Sequence, residues 1–261
     1  MLKNKKSLGQ HWLKDRFILD YIADEADLGK DDVVLEIGPG LGTLTSSLLK
    51  RAGRVIAIEY DENLAKNLPK QFPGKNLEVI NIDFLKYDLD ELDRGYKVVA
   101  NVPYYITSKI VEKLLVANNK PKKIVLLVQK EVALRMAEKP GNLSVLAIAS
   151  QSYAKVTLGD AVGKELFTPP PEVDSQVVIL DLYDKPIFAD YLTETEYMLP
   201  VKRAFLNKRK KLISSLNGLV GDKAATKSWL ESLDIDINKR AEDLSLDEWL
   251  KIAKSLKEKD N

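Results

Sequence analysis

Residues Val33-Val34-Leu35-Glu36-Ile37 run directly into Gly38-Pro39-Gly40-Leu41-Gly42, and this junction constrains the fold more than any other stretch of the chain. A short run rich in apolar residues and free of turn formers reads as a buried strand. Glycines at alternate positions after it allow positive φ and let backbone N–H groups come close to a ligand. A helix-like segment follows, so the whole is the strand, loop and helix unit of an α/β protein. The spacing is G-x-G-x-G, whereas a dinucleotide fingerprint is G-x-G-x-x-G, so the loop suits a nucleotide-type site in general better than NAD in particular. Taken alone, such a loop is also compatible with a tight turn that holds nothing.

The strand ends that follow add weight to the cofactor reading. Arg54-Val55-Ile56-Ala57-Ile58 ends in Glu59, 21 positions after Gly38, which is about where an acidic residue accepts hydrogen bonds from ribose hydroxyls in a doubly wound sheet. Leu77 to Ile82 ends in Asp83, and Lys97 to Ala100 ends in Asn101-Val102-Pro103-Tyr104. Ligands of open parallel sheets bind outside the carboxyl ends of the strands, so Gly38, Glu59, Asp83 and Asn101 are expected to line one crevice.

Periodicity extends the pattern. Helices are expected over 16–26, 43–51, 61–68, 107–117 and 130–138, and strands over 33–37, 54–59, 77–82, 97–101, 124–129 and 152–158. Residues 142–149 fit either a helix or a strand. Residues 173–183, with Val177-Val178-Ile179-Leu180, close the sheet by pairing with the preceding strand, which gives an antiparallel edge. A boundary falls at Asp184-Lys185-Pro186, and beyond about 187 only helical patterns occur, over 194–206, 208–217, 222–233 and 245–257. The expected fold is α/β: a Rossmann-like sheet, mostly parallel with an antiparallel edge, followed by a small all-helical domain. Its divisions are a lid segment and helix over 1–30, the sheet domain over 31–184 and the helical domain over 187–261.

Composition narrows the chemistry. The 261 residues contain no cysteine and a single histidine, His11. Disulfides, thiolate nucleophiles, Cys-based metal sites and a zinc site built from several histidines are therefore all excluded, and no metal is expected. No stretch reaches 18 apolar residues, and the start lacks a signal or transit pattern, so a cytoplasmic protein away from the membrane is expected. Formal net charge is only +1, so any nucleic-acid contact must come from local patches. Two exist: Lys3, Lys5, Lys6, Lys14 and Arg16 near the start, and Lys202, Arg203, Lys208, Arg209, Lys210 and Lys211 in the helical part. Blocks of this kind are often no more than solvated faces.

Asn101-Val102-Pro103-Tyr104 carries the most specific chemistry. The lone pair of adenine N6 is delocalised into the ring, so a nucleophilic N6 needs acceptors for its N–H groups and a stacking face for the base. Asn101 Oδ1 and the Val102 or Pro103 carbonyl can be the acceptors and Tyr104 the face, while Pro103 stiffens the turn. Tyr105 is assigned to packing.

At these residues the chain resembles the KsgA family of small-subunit ribosomal RNA adenine N6,N6-dimethyltransferases. The likeness runs from Leu8 to Ala253, through Leu8-Gly9-Gln10, Glu36 to Gly40, Asn101 to Tyr104, Leu143-Ser144-Val145, Phe167 to Ser175, Ala204-Phe205 with Arg209-Lys210, and Arg240 to Ser245. The glycine loop and the N-x-P-Y turn are shared by many adenine methyltransferases, while the proline stretch and the C-terminal motifs are narrower. The resemblance implies a class I methyltransferase sheet and S-adenosyl-L-methionine held by His11, Leu13, Gly38, Gly40, Glu59, Asp83 and Asn101, with Asp83 at the adenine ring. It places Asn101, Pro103 and Tyr104 at the reacting centre, with Phe167 stacking on the target base opposite Tyr104. It also implies a monomer whose partner is the small ribosomal subunit or its precursor, met through Arg203 and Lys208 to Lys211. The family usually has Asn-Phe where this chain has His11-Trp12. A large-subunit rRNA adenine methyltransferase of the resistance type shares the first domain, but residues 167–175 and 240–245 argue against it. An assembly factor acting mainly by binding is a reading from a different class, and an NAD oxidoreductase a remote third.

Overall fold

Alternating apolar runs and amphipathic segments become strands and helices largely where periodicity places them. The computed structural model of the protein describes residues 11–260. Its elements are β1 (Trp12–Leu13), α1 (Arg16–Asp24), β2 (Val33–Ile37), α2 (Thr43–Arg51), β3 (Arg54–Glu59), α3 (Glu62–Gln71), β4 (Leu77–Asn81), β5 (Lys97–Asn101), α4 (Thr107–Val116), β6 (Lys123–Gln129), α5 (Lys130–Met136), α6 (Val145–Tyr153), β7 (Ala154–Val162), β8 (Phe167–Thr168), β9 (Ser175–Leu182), α7 (Glu194–Phe205), α8 (Leu212–Ser215), α9 (Lys223–Ser232) and α10 (Leu246–Asp260). Leu8-Gly9-Gln10 and the first lysine cluster, Lys3 to Lys6, lie outside the described residues.

The large sheet has seven strands in the order β4-β3-β2-β5-β6-β9-β7. Strand β2 is parallel to both β3 and β5, with Leu35 opposite Ile56 on one side and Val98 on the other. The chain moves from β2 outward to β3 and β4 and then crosses back to β5 on the other side of β2, so the strand order switches between β2 and β5. At such a switch point loops diverge and open a crevice. The sheet carries the expected antiparallel edge: β9 pairs antiparallel with β6, Val125 opposite Ile179, and neighbours β7, which is the outermost strand.

Helix α1 is held at its start by Asp15, whose carboxylate accepts the Ile18 N–H at 3.1 Å, a side-chain cap of a kind worth about 1 kcal/mol. Leu19, Ile22 and Ala23 are its buried residues and join Val34, Leu48, Val55, Val99, Val125 and Ile179 in one hydrophobic cluster. The third loop glycine, Gly42, starts α2 at φ 78°. A Cβ there would stand 2.6 Å from Leu68 Cδ1, so this glycine serves close packing of the loop on α3.

The chain divides into two compact units. One takes in the chain up to Leu134 together with Lys155–Leu182, and the other Arg135–Ala154 together with Tyr183–Asn261. One break between the units lies between Leu182 and Tyr183. Residues 135–154, expected within the 31–184 domain, belong instead to the helical unit. Their ambiguous part, 142–149, resolves into α6, capped by Ser144 at the Ala147 N–H. Within that unit Ser152 bonds the Tyr197 hydroxyl at 3.0 Å, which ties α6 to α7. The helix expected over 208–217 shrinks to Leu212–Ser215. Lys208 to Lys211 have no apolar side chain to bury and form an exposed turn, in which the Lys210 N–H bonds the Asn207 carbonyl at 2.8 Å. Among the described residues no helix is long and apolar enough to cross a membrane.

Candidate active site

A cavity of about 390 Å³ opens at the β2/β5 switch point, and its lining includes His11, Leu13, Glu36, Gly38, Gly40, Glu59, Asp83, Asn101, Pro103 and Tyr104. Its size is that of a small-molecule site. Each residue reaches it from a strand end or the loop after one, so residues far apart in the chain meet because the parallel strands end at one edge. Phe167 is not brought here. It is 2% exposed and sits in the hydrophobic cluster, because β8 pairs with β1 in a register that sets Phe167 opposite the buried Leu13. The assignment of Phe167 to the face opposite Tyr104 is therefore corrected for this conformation. Tyr105 is corrected too: it lines the cavity and is 64% exposed, so it is not a packing residue.

The carboxylate of Glu59 spans the glycine loop. Its Oε2 accepts the Gly40 N–H at 3.0 Å and its Oε1 the Asp61 N–H at 2.8 Å. Burial raises the pKa of this group and the backbone N–H bonds oppose that rise. Gly40 has φ 57°, and a Cβ on it would lie 3.2 Å from Trp12 Nε1, so the indole closes over the loop only because position 40 has no side chain. Asp83 begins a short 3-10 turn with its Oδ1 on the Leu85 N–H at 2.9 Å.

Glu36 is the residue that reading by strand ends misses. It lies within β2, it is 1% exposed, and one oxygen accepts the Thr45 hydroxyl at 2.6 Å. The other oxygen, Oε1, is buried without a hydrogen-bond partner. Burial pushes its pKa up to about 8, the Thr45 hydrogen bond opposing and the charge of Glu59 adding to the rise. A lone acidic residue in an otherwise apolar strand is the sequence signal that could have found it. An orphan carboxylate oxygen beside a cavity is a place for a cation.

At the other end, Asn101 Nδ2 donates to the His11 carbonyl at 3.3 Å. That bond fixes the amide's orientation and leaves Oδ1 as its acceptor. The Pro103 carbonyl already receives the Ile106 N–H at 3.2 Å and the Thr107 hydroxyl at 3.4 Å, whereas the Val102 carbonyl accepts no hydrogen bond among the described residues. The Tyr104 hydroxyl bonds Ser175 Oγ at 2.6 Å, and its ring lies near-parallel to the His11 imidazole, centroids 6.0 Å apart and planes 14° apart. His11 Nδ1–H in turn donates to the Pro169 carbonyl at 2.8 Å. Ser175 and Pro169 thus brace the site from the proline stretch, a role their positions in the chain did not suggest. Burial raises the Tyr104 pKa, so its phenol stays neutral through the physiological range.

The basic residues of the helical unit differ in how committed they are. Lys208 pairs with Glu242 at 3.0 Å, Lys211 bonds Asn238 at 2.8 Å, and Arg203 reaches the Asn217 carbonyl at 3.4 Å. Arg209 and Lys210 are exposed and have no ion pair or hydrogen bond from their side chains among the described residues.

Residues 1–258 match the family model described as Ribosomal RNA adenine dimethylase. A protein of Dehalococcoides mccartyi (strain CBDB1) named Ribosomal RNA small subunit methyltransferase A is 41% identical over 256 residues, covering 96% of this chain and 88% of its own. Among solved structures, a dimethyladenosine transferase from Plasmodium falciparum superposes with a TM-score of 0.84 at 31% identity, covering 96% of this chain and 98% of its own. The 23S rRNA methyltransferase ErmE superposes at 0.75 with 28% identity, covering 94% and 99%.

Proposed function

Because the chain belongs to the ribosomal RNA adenine dimethylase family, we propose that its cavity is where S-adenosylmethionine and a target adenine meet. It is a ribosomal RNA adenine methyltransferase. The reaction converts two adjacent adenines, in a hairpin near the 3′ end of small-subunit RNA, to N6,N6-dimethyladenosine. The observation that carries this reading is the Asn101 amide, turned by the His11 carbonyl so that Oδ1 is left to accept a hydrogen bond at the cavity.

The lining fits the cofactor. Glu59 would hold the ribose hydroxyls, Asp83 the adenine ring, and the loop at Gly38 and Gly40 the close approach of the backbone. The buried Oε1 of Glu36 would face the cationic methionine portion. When bound, the cofactor supplies a methyl group already activated on a sulfonium. The chain's own residues supply placement. Asn101 Oδ1 and the Val102 carbonyl accept the two N6–H groups and direct the nitrogen lone pair out of the ring plane, while the braced Tyr104 ring fixes the base. None of these groups has to take a proton before attack, because the neutral NH2 can attack with both hydrogens in place, and the cationic methylated nitrogen then loses one proton to water. Arg203 and the turn from Lys208 to Lys211, with Arg209 and Lys210 the least committed, would meet RNA phosphates, which position the substrate without reading its bases. A cytoplasmic monomer acting on the small subunit or its precursor completes the proposal.

Asn101→Ala tests it. Single-turnover methyl transfer should fall by at least about 100-fold, the scale seen when one preorganised hydrogen-bonding group is removed, while calorimetric affinity for S-adenosylmethionine changes little. The wild-type single-turnover rate should also stay nearly flat between about pH 6.5 and 9, where a histidine base would titrate. An Asn101→Ala enzyme with an undiminished single-turnover rate would remove Asn101 from the reaction.

A further inference from the structure

Tyr104 and Tyr105 are neighbours in sequence, but their surroundings differ. Tyr104 is fixed at its hydroxyl by Ser175 and lies alongside the His11 ring. Tyr105 lines the same cavity at 64% exposure, with no hydrogen bond or ring contact among the described residues. Both stand in the 3-10 turn Tyr104–Ile106. Successive side chains in such a turn point about 120° apart, so the two rings cannot cover the same base. Tyr105 therefore presents its ring in a direction different from that of Tyr104. One helical turn later comes Lys109, exposed on α4, with no ion pair or hydrogen bond among the described residues. An exposed aromatic ring at the mouth of a nucleotide cavity, followed by an uncommitted cation, is the pairing by which proteins hold a single-stranded nucleotide: base on ring, phosphate on ammonium.

We infer that Tyr105 and Lys109 form a second nucleotide subsite, which takes the nucleotide flanking the target adenine. Tyr105 stacks on the flanking base and Lys109 meets its phosphate. The adenines modified are adjacent, so the flanking base is the other target, and the platform keeps it unstacked from its partner while the first is in the cavity. The other exposed tyrosine of the lining, Tyr60, follows Glu59 at the cofactor end and is not part of the subsite. The inference rests on the proposed reaction and adds where the neighbour of the reacting base goes.

The test uses the full chain, unmethylated small ribosomal subunits and S-adenosylmethionine, and follows N6-methylated adenines by mass spectrometry. Wild-type activity on the subunits tests the underlying reaction by itself; its absence would overturn that reading and the subsite with it. With activity present, Tyr105→Leu should lower kcat/KM for the subunit about 5- to 150-fold, the range of one lost base-aromatic stack. Tyr105→Phe, which keeps the ring, should stay within about twofold of wild type. Lys109→Gln should weaken subunit binding and reduce the slope of log affinity against log salt by about one. Calorimetric affinity for S-adenosylmethionine should be the same in all four proteins. A Tyr105→Leu enzyme with wild-type kcat/KM, a Tyr105→Phe enzyme as impaired as Tyr105→Leu, or a loss of cofactor affinity in Tyr105→Leu would each overturn the subsite.

Discussion

Glu36 ties the electrostatics of the site to the stability of the fold. Its carboxyl is pushed up to about 8 from an ordinary 4.5, chiefly by burial, so at neutral pH the folded protein keeps a proton there that the unfolded chain has lost. Between about pH 4.5 and 8 the folded state therefore binds more protons, and stability falls as pH rises. The contribution is fully present below the unfolded value and is lost through the folded one, by at most about 1.4 kcal/mol per pH unit from this group. Glu36→Gln should remove that part of the slope in urea unfolding series at pH 5, 6, 7 and 8, and a slope equal to wild type would mean that Glu36 is charged when folded. A cation placed against Oε1 has the opposite preference and favours the carboxylate. Binding of S-adenosylmethionine near pH 7 should release a proton in the wild type and not in Glu36→Gln, which calorimetry in buffers of different ionisation enthalpy reads directly.

The pair of short strands β1 and β8 shows how an element changes a residue's role. Leu13 faces the cavity and the core, Trp12 closes over Gly40, and the His11 carbonyl orients Asn101. Phe167, opposite Leu13, anchors the pair in the hydrophobic cluster. Phe167→Ala is expected to lower unfolding free energy by about 3 to 5 kcal/mol, as for other buried aromatics, and to weaken cofactor binding by loosening β1. Unchanged stability with collapsed activity on RNA would instead put the ring at the base. The large strands were legible in the sequence because a buried parallel strand is a nearly continuous apolar run, and Val33 to Ile37 or Ile124 to Val128 need no tertiary knowledge to read. The β1–β8 pair was not. Two-residue strands carry no period, and their register depends on pairing positions 154 apart, Leu13 with Phe167. The turn from Lys208 to Lys211 failed for the opposite reason: its charged residues suit a helix, but nothing in it is apolar enough to hold one against the unit.

At the scale of the molecule, the cavity belongs to the sheet unit and the basic turn to the helical unit, and the proposed reaction gives cofactor and base to the first and RNA phosphates to the second. The crevice at the switch point was legible because topology alone sends Gly38, Glu59, Asp83 and Asn101 to one edge. The assignment of residues 135–154 to the helical unit was not, since membership in a unit is decided by packing, here Ser152 on Tyr197. The central claim joins both units in one reaction on ribosomal RNA, and mapping methylated adenines tests it most directly. Unmethylated small subunits incubated briefly with the protein and S-adenosylmethionine should yield N6,N6-dimethyladenosine at two adjacent positions near the 3′ end of the small-subunit RNA, with far less from Asn101→Ala over the same time. Methylation confined to large-subunit RNA, or equal product from Asn101→Ala, would contradict the account.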